Sequence, residues 1–334
     1  MQIKLFLFFF STFVYASTYA QGCFPPDKLP SHITALTNFG QRAEWSLDGE
    51  TIYFLDKPGG EVWSIDLKTK TPKQITFAQN REKGHGYYRV MCLANGDLLL
   101  CVGAERHRLY FEVLDKSFKK SPQRIANEEV DEGPAISRKN NKIAWTLPGQ
   151  LQICMGNISK RNGITSIVNK EILIDSKNVV SDEGIKYEDI LETQNWRGQD
   201  EEELIFAQYK RGASFRCEVF GKEILTGKII NYSKDSLAYD EPEGIYPDGK
   251  YTLVESDKHQ ITSGTSTIDI YKLKLDGTGK NYQRLTYFSE LKGYRSSNPV
   301  ISDDGKMMVF QGSYAGSEAG GGCGIYLFDC KNLA

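Results

Sequence analysis

Residues 298–312 read NPVISDDGKMMVFQG, and two other stretches repeat this pattern, RAEWSLDGETIYFLD at 42–56 and EPEGIYPDGKYTLVES at 241–256. In each stretch an Asp-Gly pair separates two runs rich in β-branched and aromatic residues, which indicates a tight β-hairpin. Comparable turn signals occur at Asn95-Gly96 and Asn140-Asn141, and the acidic stretch QDEEE at 199–203 takes the same place in a sixth unit. The signals recur about every 45 to 60 residues, a period typical of propellers and related repeat arrays.

Each unit continues with further strand-like runs. EVWSIDL at 61–67 and GIYLFDC at 324–330 follow their hairpins as third strands, and PKQIT at 72–76 and YQRLT at 282–286 close their units as fourth strands. Four antiparallel strands per unit make a propeller blade. The last unit stops after three strands, whereas HITALT at 32–37 reads like a fourth strand. We therefore predict an all-β, six-bladed propeller that the N-terminal strand closes. Seven blades are the alternative, because residues 155–200 hold more chain than one blade needs.

The units at 42–56, 241–256 and 298–312 resemble the repeats of TolB-type propellers. Those repeats typically read as a Pro-x-hydrophobic-Ser-Pro-Asp-Gly-Lys hairpin, then a strand with Asp, then Leu-Thr. The resemblance is weaker in the second and third units and weakest in the fourth. It extends over residues 24–334 and implies a fold, and a fold does not by itself imply a function. Oligogalacturonate lyases are propellers with similar repeats, so the resemblance also raises polysaccharide lyase activity as a hypothesis.

The N-terminus predicts export. Lys4 precedes an apolar run at 5–16, and the small residues at 18–20 suit cleavage by a signal peptidase. We expect a signal peptide at 1–20 and one propeller domain at 24–334, located in the periplasm or outside the cell. The run is too short to span a bilayer, so we expect no transmembrane segment. Cys23 follows Ala-Gln-Gly in a loose lipobox, and lipidation of Cys23 is the alternative.

Net charge and cysteine content limit the binding partners and the disulfides that we expect. The formal net charge is −2, so nucleic acid is not an expected partner, and we expect a monomer. Four of the seven cysteines lie in apolar strand-like runs, where a thiol acts as a small hydrophobe. An oxidising compartment would permit one disulfide among Cys23, Cys323 and Cys330.

Candidate site residues follow from the repeat, because propellers bind ligands over the mouth of the central channel. The loops between blades and those between second and third strands build that face, together with the Gly-rich stretch at 313–324. Loops on a rigid scaffold often carry function. The predicted ligand-binding residues are Arg42, His85, Tyr87, Arg106, His107, Arg211, His259, Tyr294 and Arg295.

Three functions compete for these residues. The first is binding of a carbohydrate or peptide without catalysis, and an anionic glycan fits best because arginine pairs with carboxylates through two parallel bonds. The second is a lyase that cleaves uronic-acid oligosaccharides by β-elimination, with His85 as base and Arg295 as carboxylate partner. The third is a divalent metal held by His85, His107 and His259 with Glu241. No local ligand spacing supports that metal, so we expect no cofactor.

Overall fold

The computed structural model describes residues 29–125, 129–178, 183–186, 188–210, 216–262, 265–318 and 320–332. Within these ranges, strands form six four-stranded antiparallel sheets, and helical structure is limited to the short 3-10 turns Ala78–Asn80, Phe288–Glu290 and Cys330–Asn332. The sheets are the blades of a β-propeller. The predicted all-β class and the count of six blades are confirmed.

The strands follow one another from the inside of each blade to its outer edge. Blade 1 contains β2 (Gln41–Trp45), β3 (Thr51–Leu55), β4 (Val62–Asp66) and β5 (Pro72–Gln74), and blade 2 contains β6 (Gly86–Cys92), β7 (Leu98–Gly103), β8 (Tyr110–Leu114) and β9 (Gln123–Arg124). Blade 3 contains β10 (Ala135–Ile136), β11 (Lys142–Thr146), β12 (Gln152–Arg161) and β13 (Ile164–Asp175), and blade 4 contains β14 (Ile190–Arg197), β15 (Glu203–Tyr209), β16 (Cys217–Glu223) and β17 (Ile229–Asn231). Blade 5 contains β18 (Asp240–Ile245), β19 (Tyr251–Ser256), β20 (Asp269–Lys274) and β21 (Tyr282–Arg284), and blade 6 contains β22 (Tyr294–Ile301), β23 (Met307–Tyr314), β24 (Gly324–Asp329) and β1 (Ile33–Ala35).

The repeated Ser-x-Asp-Gly motif makes the turn between the first and second strands. In blade 6 the Ser302 hydroxyl donates to Asp304 Oδ1 at 2.7 Å, and the Lys306 backbone N–H donates to the same oxygen at 3.0 Å. Gly305 adopts a φ of 72°, a left-handed conformation that costs glycine little. The side chain of the aspartate thus satisfies the turn while the glycine reverses the chain.

The N-terminal strand closes the ring as predicted. β1 pairs antiparallel with β24, with Ile33 opposite Phe328 and Ala35 opposite Tyr326. The pairing gives blade 6 its fourth strand and covers an edge that would otherwise offer unpaired backbone groups. The first and last strands of the described residues therefore belong to the same blade.

Blade 3 accounts for the extra chain that had suggested a seventh blade. Its outer hairpin is unusually long, because β12 spans 10 residues and β13 spans 12. The pairing of these strands contains two register shifts, which bend the hairpin. The additional residues lengthen an existing blade.

Neighbouring blades pack through apolar faces. One buried cluster joins Ala43 and Trp45 of blade 1 with Val309 and Ile325 of blade 6, and the Trp45 indole N–H donates to the Val300 carbonyl at 3.0 Å. Full burial of each large apolar side chain contributes about 1.5–3 kcal/mol. Among the described residues, no helix has the length and apolar character needed to cross a bilayer.

The terminal cysteines differ in state. Cys323 is disulfide-bonded, whereas Cys330 keeps a buried free thiol. Cys23, like the whole predicted signal peptide, lies outside the described residues. The cysteines predicted to lie in strands, Cys92, Cys101, Cys154 and Cys217, are buried and are not disulfide-bonded.

Candidate functional site

The first strands of the blades, with the residues that lead into them, surround a central channel. A small cavity of about 60 Å³ lies on its axis and touches residues of all six blades. We call it the axial cavity. The charged side chains that line the channel or lie close to it include Arg42, Glu44, Arg89, Arg106, Glu132, Glu192, Glu241, Glu243 and Arg295.

A second cavity of about 270 Å³ opens at the end of the channel where the blades connect. We call it the mouth cavity. Arg42 and Arg106 contribute its cations, Tyr88 contributes an aromatic wall, and Gly320 and Gly321 of the Gly-rich stretch contribute backbone. Two of the predicted binding residues, Arg42 and Arg106, therefore line the same cavity.

Three of the four channel arginines are already engaged. Arg106 Nε donates to Glu132 Oε1 at 2.6 Å, and Arg89 Nη2 lies 3.6 Å from Glu192 Oε1. Arg295 is almost fully buried and donates to backbone carbonyls of the loops around it. The shortest of these reach Thr265 at 2.8 Å and Glu318 at 2.7 Å. The Arg295 guanidinium thus fastens two loops.

Arg42 differs from the other three. Its side chain is only 7% exposed, and its guanidinium makes no hydrogen bond or ion pair with the described residues. Burial, followed by the positive charges of Arg89 and Arg106, lowers the pKa of Arg42 to about 10, so the group remains charged at neutral pH. Arg42 is therefore a buried cation without a hydrogen-bond or ion-pair partner among the described residues, and it borders the mouth cavity.

The backbone fixes where Arg42 lies. Its φ of 52° is a left-handed conformation that few non-glycine residues adopt. Its N–H donates to the Gln311 side chain of blade 6 at 2.7 Å, which holds this conformation in place. A Cβ atom at Gly320 would overlap the Arg42 Nη2 atom, so glycine at 320 lets the Gly-rich loop lie directly against the guanidinium.

Acidic groups dominate the side of the channel formed by blades 4 and 5. Burial, and then the charges of Glu132 and Glu241, raises the pKa of Glu192 well above its usual range. Burial acts to raise the pKa of Glu132 as well, but Arg106, Arg42 and Arg89 outweigh it and lower that pKa. Glu192, Glu241 and Glu243 therefore lie on blades 4 and 5, whereas Arg42 and Arg89 lie on blades 1 and 2.

The three histidines predicted for the face lie apart from one another. His85 packs against Tyr110 with ring centroids 5.8 Å apart, and His107 Nδ1 contacts Asp131. His259 Nδ1 lies 2.9 Å from the Tyr271 hydroxyl, and burial with the nearby Arg284 lowers its pKa. None of them lines the mouth or axial cavity. The structure does not bring these imidazoles together around one point.

The remaining predicted residues take other places. Tyr87 is fully buried, at 0% exposure, in a core cluster of blades 1 and 2, and Tyr294 packs against Tyr314 with ring centroids 5.7 Å apart. Arg211 lies outside the described residues. Tyr88, the neighbour of Tyr87, lines the mouth cavity instead.

Sequence reasoning missed charged residues that lie two or three positions inside the first strands. Arg89, Glu192 and Glu243 belong to this group, and all three lie in strands. Charged residues within the first strands were the signal that could have indicated them. A charged side chain in a strand seldom faces an apolar core, so it is expected to face the channel. The repeat pattern by itself predicts function in the loops and packing in the strands.

Comparisons with known proteins find similar folds among solved structures. No protein-family model and no curated protein matches the chain. Among solved structures, oligogalacturonate lyase from Vibrio parahaemolyticus is 12% identical and has a TM-score of 0.52, over 90% of this chain and 94% of that chain. The tricorn protease is 15% identical with a TM-score of 0.54, over 87% of this chain and 25% of that chain. TolB from Acinetobacter baumannii is 15% identical with a TM-score of 0.45, over 83% and 63%.

These likenesses, together with the blades, define the class of the protein. The chain is a six-bladed β-propeller, the fold that the likeness to oligogalacturonate lyase also indicates. At such low identities the likeness concerns the fold alone.

Proposed function

We propose that this propeller is a binding module that takes a carboxylated ligand, an anionic glycan or an acidic peptide, in the mouth cavity. The observation that supports the proposal is the Arg42 guanidinium, which is buried beside this cavity without a partner among the described residues. Burial of a charge without a contacting counter-charge is unfavourable, and Glu132 and Glu243 act on Arg42 only at longer range. A ligand carboxylate would supply the missing counter-charge and two parallel hydrogen bonds.

The mouth cavity offers further contacts to such a ligand. Tyr88 presents an aromatic surface, and aromatic rings pack well against sugar rings or peptide side chains. Arg106 adds a second positive charge at the rim, although Glu132 compensates most of it. A hydrogen bond to a charged partner contributes about 1.5–3 kcal/mol, so Arg42 should account for much of the affinity.

The geometry favours binding over uronate β-elimination. Elimination requires a base close to the cation that holds the substrate carboxylate. His85 belongs to the entrance of blade 2, whereas Arg295 is in blade 6 and its Nη atoms already donate to carbonyl oxygens. Neither the axial cavity nor the mouth cavity is lined by His85 or Arg295.

We also propose that the protein is exported, on the basis of the apolar run at 5–16 and the small residues that follow it. Intact-mass measurement of the protein purified from its natural compartment tests this directly. A chain that begins at residue 21 supports ordinary cleavage, and a lipid adduct at residue 23 supports the lipoprotein alternative. A mass that includes residues 1–20 contradicts export by cleavage.

Calorimetric titration with oligogalacturonate, an acidic peptide and a neutral oligosaccharide tests the ligand. We expect binding of a charged ligand only, and at least tenfold weaker binding by Arg42→Gln. Arg161→Gln removes the same charge from an exposed position on blade 3, so it controls for overall charge and should bind like the unchanged protein. Equal binding of charged and neutral ligands, or unaltered binding by Arg42→Gln, contradicts the proposal.

A further inference from the structure

Three glutamates converge at the inner edge of blade 5. Glu241 and Glu243 both belong to β18, and Glu255 of β19 is the register partner of Glu241. One carboxylate oxygen from each residue lies within 4.8 Å of the other two. Pairing across the strands thus places Glu241 opposite Glu255, and Glu243 lies at the register shift between Pro242 and Gly244.

These carboxylates lack counter-charges at contact distance. Among the described residues, no Lys, Arg or His nitrogen lies within ion-pair distance of any of the three. Glu241 accepts a hydrogen bond from the Tyr239 hydroxyl, and Glu243 accepts one from Asn298 Nδ2 at 2.7 Å. Arginines 42, 89 and 295 act on the cluster only at longer range. Burial of several carboxylates with so few donors is strongly unfavourable unless something neutralises them.

Asn298 of blade 6 supplies an independent observation. Its side chain is only 4% exposed, and its backbone N–H donates to Glu255 at 2.6 Å. The donation from Nδ2 to Glu243 fixes the orientation of the amide, because the carbonyl oxygen would be repelled by the carboxylate. Asn298 Oδ1 is buried and has no hydrogen-bond donor among the described residues. Asn298 and Glu243 both line the axial cavity.

We propose that Glu241, Glu243, Glu255 and Asn298 Oδ1 form a site for a hard divalent cation, with Ca²⁺ as the preferred ion. All four ligands are oxygens, which hard cations select. Mg²⁺ usually keeps several waters and binds through one or two carboxylates, whereas Ca²⁺ accepts 6–8 oxygen ligands in a flexible geometry. A site with three carboxylates and an amide oxygen therefore suits Ca²⁺ better than Mg²⁺.

This site is distinct from the histidine set considered for a metal, since it contains no imidazole and lies within the channel. Its ligands come from blades 5 and 6, so a bound ion would tie neighbouring blades together at the axis. It would do so whether or not the mouth cavity binds a carboxylated ligand. Because only the folded chain assembles the site, the ion should raise the melting temperature in a concentration-dependent manner.

Thermal unfolding and calorimetry of the full-length protein test the proposal, after chelator treatment and with CaCl₂ or MgCl₂ added. We expect Ca²⁺ binding with an apparent Kd of about 10⁻⁵–10⁻³ M, and weaker binding of Mg²⁺. Glu243→Gln keeps the shape of the side chain and should weaken Ca²⁺ binding at least tenfold. Glu112→Gln, a buried carboxylate on β8 of blade 2, is the matched control and should bind Ca²⁺ like the unchanged protein.

The Glu243→Gln variant is expected to fold, because removal of one negative charge relieves repulsion among the three glutamates. Its melting temperature without Ca²⁺ should equal or exceed that of the unchanged protein. Absence of Ca²⁺ binding by the unchanged protein, or equal loss in Glu243→Gln and Glu112→Gln, would overturn the proposal. Binding of Mg²⁺ as tight as that of Ca²⁺ would overturn the assignment of the ion.

Discussion

Arg138 connects three blades at the end of the channel opposite the mouth cavity. It belongs to the first hairpin of blade 3, yet its Nη1 donates to Glu44 Oε1 of blade 1 at 3.1 Å. Its Nη2 donates to the Ser46 carbonyl at 3.1 Å and to Asp303 of blade 6 at 2.9 Å. Neither blade is a sequence neighbour of blade 3. We therefore expect Arg138→Ala to destabilise the ring, and to do so in a pH-dependent manner.

The expected loss in the free energy of unfolding of Arg138→Ala has two parts, one independent of pH and one that depends on the ionisation of Glu44. Hydrogen bonds from Arg138 to the carbonyls of Trp45 and Ser46 contribute about 1 kcal/mol each, independently of pH. Burial raises the pKa of Glu44 to about 7, and Arg138 opposes that rise. Without Arg138 the pKa of Glu44 rises further. At a pH above the original pKa, this lowers the free energy of unfolding of the variant, relative to the unchanged protein, by about 1.4 kcal/mol for each pH unit above that pKa. The half-exposed Asp303 adds less than about 1 kcal/mol.

The sign of the pH effect follows from the pKa of Glu44. At pH 5.5 the carboxyl group is protonated with or without Arg138, so only the pH-independent loss of about 2 kcal/mol remains. At pH 8 the carboxylate is ionised in the unchanged protein, and the loss grows to about 3–4 kcal/mol. Melting temperatures should fall by roughly 3 °C at pH 5.5 and roughly 5–6 °C at pH 8, as expected for a domain of about 300 residues with an unfolding entropy of about 2.1 cal/mol/K per residue.

Thermal unfolding followed by circular dichroism at the two pH values measures this difference. The Glu44→Gln background is the matched control, because it removes the titrating group and should make the loss from Arg138→Ala independent of pH. An equal loss at both pH values in the Glu44 protein, or a larger loss at pH 5.5, would refute the reasoning.

Two further predictions concern the fold. Gly86→Ala should destabilise the protein by about 2–3 kcal/mol, because the new Cβ would overlap the Gly59 backbone, whereas Gly316→Ala, with open space around it, should change stability by less than about 0.5 kcal/mol. Chemical unfolding curves compare the two, and equal effects would contradict the packing argument. Deletion of residues 24–37 removes β1 from β24 and should cause aggregation, measured by light scattering. A monodisperse deletion variant as stable as the full chain would show that closure by β1 is dispensable.

Local chemistry made much of the fold readable from the sequence. The Asp-Gly pair at 304–305 and its counterparts specify hairpins because the aspartate side chain bonds to the turn backbone and the glycine accepts a positive φ. The incomplete last unit and the strand at 32–37 predicted ring closure, since an open edge is unfavourable. The long β12–β13 hairpin was not foreseen, because chain length alone does not distinguish a longer blade from an additional one.

The candidate site depended far more on tertiary structure. The sequence placed Arg42 and Arg106 at the mouth of the channel, and both line its cavity. The sequence also predicted Arg295 as a cation available to a ligand. In the structure, backbone carbonyls of two loops accept hydrogen bonds from that guanidinium. Which arginine remains without a partner is decided by side chains that converge from different blades, and their mutual distances are not encoded in any local pattern. The convergence of Asn298 with Glu243 across a blade boundary has the same origin.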